Sequence, residues 1–80
     1  MIILTRTARK DLDTLPQQVR DRTINALRSI DQNPLVGKKL LGRLSGTRSA
    51  RIGRAYRLLY QIREDDIVVL AIRPRKDAYR

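Results

Sequence analysis

The chemistry open to this chain is that of cationic, phenolic, hydroxyl and carboxylate side chains, because its 80 residues include no histidine and no cysteine. Without histidine it lacks the usual general base near neutral pH and the commonest metal ligand. Without cysteine it has no thiolate nucleophile and no disulfide. The carboxylates are few and scattered, so we expect neither a metal site nor a cofactor. We expect arginine, lysine and tyrosine, or groups on another molecule, to do any catalysis.

Positive charge is the strongest signal in the composition. Eighteen Lys and Arg against eight Asp and Glu give a net charge of +10. Residues 33–63 contain no acidic side chain, and their cations are Lys38, Lys39, Arg43, Arg48, Arg51, Arg54, Arg57 and Arg63. A long stretch of one sign is typical of a protein that binds a polyanion, and guanidinium groups suit bidentate phosphate contacts. The alternative is a basic surface that serves solubility or faces an acidic protein.

The spacing of apolar residues predicts one strand and two helices in the first part of the chain. Residues 2–4 form a short strand, and Thr5 or Thr7 caps a helix that ends near Leu15. The second helix begins at Pro16, where a missing N–H costs nothing, and ends at Asn33-Pro34. Because the chain holds no 20-residue apolar run, we expect no membrane partner and a cytoplasmic location.

After a basic connector at residues 35–47, the period of the sequence changes to two. Strands are predicted at about 48–53, 55–63 and 66–73, with tight turns at Gly53-Arg54 and Asp65-Asp66. Leucines of the connector are predicted to return to the core: Leu40, Leu41 and Leu44. The predicted fold is therefore α+β, in one domain at 1–80: an N-terminal strand and two-helix hairpin packed on one face of an antiparallel sheet.

Alternation within the predicted strands places three arginines on the face away from the helices. Apolar side chains of each strand should face the helices, which leaves Arg51, Arg57 and Arg73 on the open face. Three cations on adjacent strands repel one another, so the pattern predicts an anion between them. The alternative is that they splay into water, and a bulge near Gly53 would displace Arg51.

The same alternation predicts which face of the sheet the other strand residues occupy. Val68, Leu70 and Ile72 are predicted to face the helices, whereas Ile67 and Val69 face the open side with Leu59. The tyrosines of the middle strand, Tyr56 and Tyr60, are predicted to lie in the core or at its rim.

Several segments of the chain, in order, resemble the RelE branch of the RelE/ParE toxin superfamily. The strand pair at 51–60 contains the Tyr-Arg-apolar-apolar-Tyr pattern of that superfamily, and 67–79 is similar to the last strand, basic cluster and closing tyrosine of the RelE branch. The segments at 8–12, 15–16 and 44–46 match the order of helices and connector. The resemblance covers nearly the whole chain and implies a RelE-like fold.

The resemblance implies the toxin of a type II toxin–antitoxin pair that cleaves messenger RNA in the ribosomal A site. The RNA's own 2′-hydroxyl attacks the adjacent phosphate. By position, Arg57 stabilises the phosphate charge, Arg73 does so too and assists the leaving oxygen, and Tyr79 assists proton removal. An alternative role for Tyr79 is packing the C-terminus or stacking a base. Contacts to the RNA backbone are expected from Lys38, Lys39, Arg43, Arg48, Arg51, Arg54, Arg75 and Lys76.

The resemblance also implies partners: the ribosome, messenger RNA and an acidic antitoxin that forms a hetero-oligomer with the toxin. A helix of the antitoxin is predicted to dock on the apolar positions of the open face, Leu59, Ile67 and Val69. Two other functions remain open. One is a ParE-like inhibitor of DNA gyrase that has no nuclease activity, and the other is a non-catalytic RNA-binding module.

Overall fold

A computed structural model describes residues 1–77 and shows two helices packed on a five-stranded sheet, which confirms the predicted α+β class. The strands are β1 (Ile2–Leu4), β2 (Lys38–Lys39), β3 (Arg48–Ile52), β4 (Tyr56–Arg63) and β5 (Asp66–Pro74). The helices are α1 (Arg6–Thr14) and α2 (Gln17–Gln32). Short 3₁₀ helices occupy Pro34–Val36, Gly42–Leu44 and Arg75–Asp77.

The sheet is mixed rather than wholly antiparallel. Its strand order is β1-β5-β4-β3-β2, and β2 to β5 pair antiparallel, whereas β1 pairs parallel with β5. Tight turns force antiparallel pairing only between strands that they join, and β1 is separated from β5 by both helices. Thr5 then ties the start of α1 to β5, since its N–H donates to the Val69 carbonyl at 3.1 Å and its Oγ1 donates to the Leu70 carbonyl at 3.0 Å.

The helix ends lie where capping and proline signals predict them. Thr5 is the N-cap of α1, and its Oγ1 accepts a hydrogen bond from the Ala8 N–H at 3.1 Å. Pro16 directly precedes α2, and Asn33 follows its last residue. None of the helices within residues 1–77 has the length and apolar character needed to cross a membrane.

The core lies between the two helices and one face of the sheet. Its buried side chains come from both layers: Ala8, Leu15, Ile30, Ile52, Leu58, Tyr60, Ile67, Val69 and Ile72. Burial of these apolar surfaces is the main favourable contribution to folding.

A bulge in β5 makes part of the predicted face assignment wrong. Leu59 pairs with Ala71 but Tyr60 pairs with Val69, so Leu70 has no cross-strand partner. One extra residue moves every side chain beyond it to the other face. Ile67 and Val69 therefore lie in the core, at 3% and 0% exposure, instead of on the open face.

The bulge reverses the assignment of the opposite positions as well. Val68 and Leu70, predicted to face the helices, are only half-buried and are absent from the core cluster. Ile67 and Val69 are therefore inaccessible to a partner, and Leu59, although on the open face, is only 8% exposed. The predicted docking of an antitoxin helix on these three side chains is wrong, because all three are buried.

Two smaller predictions in the loops are also wrong. Leu41 is 82% exposed, because the short β2 strand and the 3₁₀ turn after it place Leu40 and Leu44 in half-buried positions and leave Leu41 in solvent. The turn between β4 and β5 is at Glu64-Asp65, since Asp66 already pairs with Arg63. Glu64 adopts a φ of 55° there.

Candidate nucleic-acid interface

Arg51, Arg57 and Arg73, called the arginine row below, lie side by side across three strands. Arg57 on β4 pairs in register with Arg51 on β3 and with Arg73 on β5. Neighbouring strands are about 4.8 Å apart, so the three side chains start close together on one face. The register of β3 with β4 is regular, because the bulge falls at Leu70 rather than near Gly53. The predicted placement of the three arginines on one face is therefore confirmed.

Arg57 is the central member of the arginine row and is half-buried. Its Nε is shielded from solvent and has no hydrogen-bond partner within residues 1–77. A buried donor without an acceptor costs about 1–3 kcal/mol. An anion that supplied an oxygen to this nitrogen would remove that cost, so the geometry favours a bound anion.

Arg73, at the edge of the row, has an internal partner. Its Nε donates to Oδ2 of Asp11 at 3.0 Å, and the same oxygen accepts the backbone N–H of Ile72 at 3.0 Å. Asp11 lies on α1, and it reaches the edge of β5 because β1 covers β5 only from Ile67 to Val69. Within residues 1–77 this is the one ion pair that reaches the arginine row. Arg51 is exposed, and its side chain makes no hydrogen bond to the described part of the chain.

The other residues predicted to contact RNA fall into two groups, and the first lies near the arginine row. Arg54 is exposed in the turn between β3 and β4, directly beyond Arg51 and Arg57. Arg75 and Lys76 are exposed in the 3₁₀ helix after β5, and the Arg75 N–H donates to the Ala55 carbonyl of the same turn. Lys38 is exposed on the open face, where it pairs with Ser49.

The second group lies away from the row. Arg48 pairs with the core residue Tyr60 and directs its Nη1 to the carbonyls of Gly37 at 2.9 Å and Leu35 at 3.3 Å, so its visible role is structural. Lys39 pairs with Arg48 on that side of the sheet, and Arg43 is in the exposed 3₁₀ turn. Tyr79 lies outside the described residues.

Arg22 is a cation near this end of the sheet that sequence reasoning missed. It lines a cleft of about 440 Å³ between α2 and the turn from β3 to β4, together with Gln18, Val19, Ile52, Gly53, Arg54, Ala55 and Tyr56. A Cβ added to Gly53 would lie 2.7 Å from Arg22 Nη1, so glycine lets the guanidinium rest against the turn. Arg22 reaches this cleft only because α2 packs on the turn from β3 to β4, and the spacing of residues in the sequence does not predict that packing.

The acidic residues do not form a metal site in the part of the chain that is described. Residues 1–77 contain no group of three carboxylates close enough together to hold an ion. The site as a whole places three arginines in register on one face of the sheet, with one internal carboxylate at its edge, an arrangement suited to a phosphate-containing ligand.

Comparison with known proteins identifies the family to which the chain belongs. Residues 2–79 match the family model of the ParE toxin of type II toxin–antitoxin systems. A chain of the toxin–antitoxin complex RelBE2 from Mycobacterium tuberculosis is 39% identical, with a TM-score of 0.83 over 94% of this chain and 96% of that one. No curated protein sequence matches significantly.

Two further solved structures share the fold. A chain of the YoeB–YefM complex from Staphylococcus aureus is 26% identical, with a TM-score of 0.78 over 91% of this chain and 93% of that one. The YoeB/ParE toxin from Agrobacterium tumefaciens is 18% identical, with a TM-score of 0.83 over 91% and 95% of the two chains. The chain therefore belongs to the ParE toxin family and is a type II toxin of the RelE/ParE superfamily.

Proposed function

We propose that this toxin is an endoribonuclease that cleaves messenger RNA in the ribosomal A site, with the scissile phosphate bound by the arginine row. The observation that carries the proposal is the in-register set of three arginines whose central member has a shielded, unsatisfied Nε. The similarity to a chain of the RelBE2 complex, whose name places it with RelE, supports the RelE branch over other members.

The proposed reaction is internal transesterification. The 2′-oxygen of one nucleotide forms a bond to the adjacent phosphorus, and the bond from phosphorus to the 5′-oxygen of the next nucleotide breaks. Negative charge rises on the phosphate oxygens and on the leaving oxygen, so preorganised cations and alignment supply most of the catalysis. Arginine suits this role because its planar group offers five donors and keeps its charge.

Each member of the row has a distinct part in this reaction. Arg57, half-buried at the centre, stabilises the developing charge on the phosphate, and its interaction is strengthened by partial exclusion of water. Arg73 stabilises the leaving 5′-oxygen, and Arg51 orients the backbone. Tyr79, beyond the described residues, keeps the role that the resemblance implies in removing the 2′ proton.

The first prediction concerns where the RNA is cut. Induced expression in bacteria is expected to produce new messenger 5′ ends that lie within translated frames at codon-phased positions. The measurement is transcriptome-wide mapping of 5′ ends with and without induction. Cuts in untranslated RNA would contradict ribosome-dependent cleavage. An arrest of growth without any new 5′ ends would contradict it as well.

A second candidate function is inhibition of DNA gyrase, which the ParE description of the matching family favours. The same purified protein separates the two functions when it is assayed for cleavage on programmed ribosomes and for gyrase-driven supercoiling. Loss of supercoiling with intact messenger RNA would support the gyrase inhibitor. Cleaved messenger RNA with normal supercoiling would support the nuclease.

The second prediction concerns the antitoxin partner, which the similar toxin–antitoxin complexes support. We expect an acidic antitoxin, because the toxin carries a charge of +10. Bound at about 100 times its Kd, it should stabilise the toxin by about 2.7 kcal/mol, which corresponds to a rise in Tm of roughly 10–20 °C in a domain of this size. Differential scanning calorimetry with cognate and non-cognate antitoxins measures this. An unchanged Tm with the cognate antitoxin would contradict a tight complex.

A further inference from the structure

We propose that Asp11 is a positioning residue for Arg73: it holds the guanidinium by its Nε and supplies negative charge to the arginine row. The inference rests on the proposed nuclease function and deepens it. Within residues 1–77, Arg73 is the one member of the arginine row that Asp11 contacts, so Asp11 acts through Arg73. Removal of the Asp11 carboxylate should therefore raise the affinity for RNA and at the same time lower the rate of cleavage.

The hydrogen bonds fix Arg73 to the backbone of the sheet. Asp11 Oδ2 accepts one bond from the Ile72 N–H and one from Arg73 Nε, each at 3.0 Å. Ile72 is held in turn by its pairing with Leu58 on β4. Because Asp11 uses only Nε, the two terminal nitrogens of Arg73 stay available, and within residues 1–77 they make no other hydrogen bond. Those two nitrogens can together bind a phosphate in bidentate fashion.

The position of Asp11 follows from how α1 lies along β5. Thr5, at the start of α1, is bonded to the Val69 and Leu70 carbonyls of β5. From Thr5 to Asp11 the helix rises about 9 Å at 1.5 Å per residue. From Val69 to Ile72 the strand advances about 7 Å, because the bulge at Leu70 sets these three steps of β5 opposite only two steps of β4. The similar advance of helix and strand brings Asp11 to the edge of β5 just past the end of β1.

Electrostatics gives Asp11 two opposite effects on RNA. The side chain of Asp11 is only 17% exposed and that of Arg73 is 46% exposed, so water screens the carboxylate only partly. Its negative charge offsets repulsion among the three arginines and keeps Arg73 in place before RNA arrives. The same charge repels a bound phosphate. The carboxylate of Asp11 therefore weakens the binding of RNA and improves the alignment of Arg73 with the phosphate. An ion pair that served only stability would not have these two opposite effects.

The third prediction tests this pairing in single-turnover cleavage on programmed ribosomes. We expect Asp11→Asn to lower the rate roughly 10-fold or more, because a misplaced catalytic group can cost up to about 10²-fold. The affinity for the programmed ribosome should stay the same or increase. Asp13→Asn is the matched control, since Asp13 lies on the same helix, is exposed and makes no side-chain hydrogen bond in the described part of the chain.

A double-mutant cycle separates positioning from stability. In an Arg73→Ala background, Asp11→Asn should cause no further loss of rate, because the residue through which Asp11 acts has been removed. Equal losses with and without Arg73 would overturn the proposal. Asp11→Glu keeps the charge with one more methylene and should recover part of the rate, so it provides a folded test if the asparagine variant is unstable.

A measurement without RNA tests the role of Asp11 independently of the proposed nuclease activity. In ¹⁵N-labelled toxin the Nε–H signal of Arg73 should be protected from exchange with water, and Asp11→Asn should remove that protection. Unchanged exchange would overturn the positioning role. If the wild-type toxin cuts no RNA, the proposed function fails; if it cuts and Asp11→Asn cuts equally fast, only the role of Asp11 fails.

Discussion

Replacement of Arg57 by alanine is expected to lower the single-turnover rate of messenger cleavage on the ribosome by roughly 10²–10³-fold, the usual cost of removing one preorganised donor at a developing charge. Arg57 is the central member of the arginine row, and its Nε is shielded and unsatisfied in the described part of the chain. Of the three arginines, Arg57 is therefore the one that a hydrogen bond from its guanidinium to a phosphate oxygen would stabilise most. Neither Arg51 nor Arg73 can replace it, because each occupies its own strand.

The same substitution should leave the free energy of unfolding unchanged or slightly raised. The side chain of Arg57 makes no hydrogen bond within residues 1–77, and it stands between two like charges. Removal of a buried donor without a partner and relief of like-charge repulsion both favour the folded state. Loss of cleavage with an unchanged Tm would thus identify a functional residue instead of a structural one.

Two companion variants sharpen this test. Arg57→Lys keeps the charge but lacks the planar fork, so we expect an intermediate rate. Arg63→Ala is the matched control on the same strand, because Arg63 is exposed and bonds only Gln61 through its side chain. It should cleave within about twofold of the wild type, as exposed side chains outside a site contribute little. Near wild-type cleavage by Arg57→Ala would overturn the proposed nuclease site.

The arginine row could be predicted from the sequence because it depends on local order. The side chains of β3, and those of β4 as far as Leu58, alternate between the two faces of the sheet without a bulge. The turn at Gly53, with a φ of +61°, joins these two strands directly. With short turns and a period of two, register follows from the pattern. The fold class was predictable for the same reason, since each strand and helix carries its own periodicity.

The bulge at Leu70 could not be predicted in the same way. The sequence of β5 is apolar at every position from Ile67 to Ile72, so no polar residue marks which side faces water. In such a strand the pairing with β4, and not the pattern, decides the face of each side chain. The helical contacts of Arg22 and Asp11 were also hidden, because they join elements far apart in the chain. Asp11 and Arg73, for example, are 62 residues apart.

Tyr60 carries the second large prediction: Tyr60→Phe is expected to reduce the free energy of unfolding by about 2–3 kcal/mol. Tyr60 is fully buried, and its hydroxyl donates to the Pro34 carbonyl at 2.7 Å and accepts the Gly37 N–H at 2.9 Å. Without the oxygen both backbone groups lose their partner, and each unsatisfied buried group costs about 1–3 kcal/mol. Gly37 is itself buried, so water has little access to replace the bond.

The surroundings of Tyr60 leave little room to compensate. A Cβ on Gly37 would lie 2.5 Å from the tyrosine oxygen and 2.7 Å from Cε1, which shows how tightly the ring fits beneath the connector. A domain of 80 residues has a stability of about 4–12 kcal/mol, so the loss is a large share of the total. The connector bears Lys38 on the open face, and its loosening should therefore accompany the loss of stability.

Urea unfolding followed by circular dichroism measures the effect. The midpoint for Tyr60→Phe should fall while the slope m stays constant, because the surface exposed on unfolding hardly changes. Tyr56→Phe is the control: Tyr56 is half-buried and its hydroxyl has no partner within residues 1–77, so the expected change is within about 0.5 kcal/mol. Equal midpoints for the two variants would show that the hydroxyl of Tyr60 does not hold the connector, and Lys38 would then owe its position to β2 pairing alone.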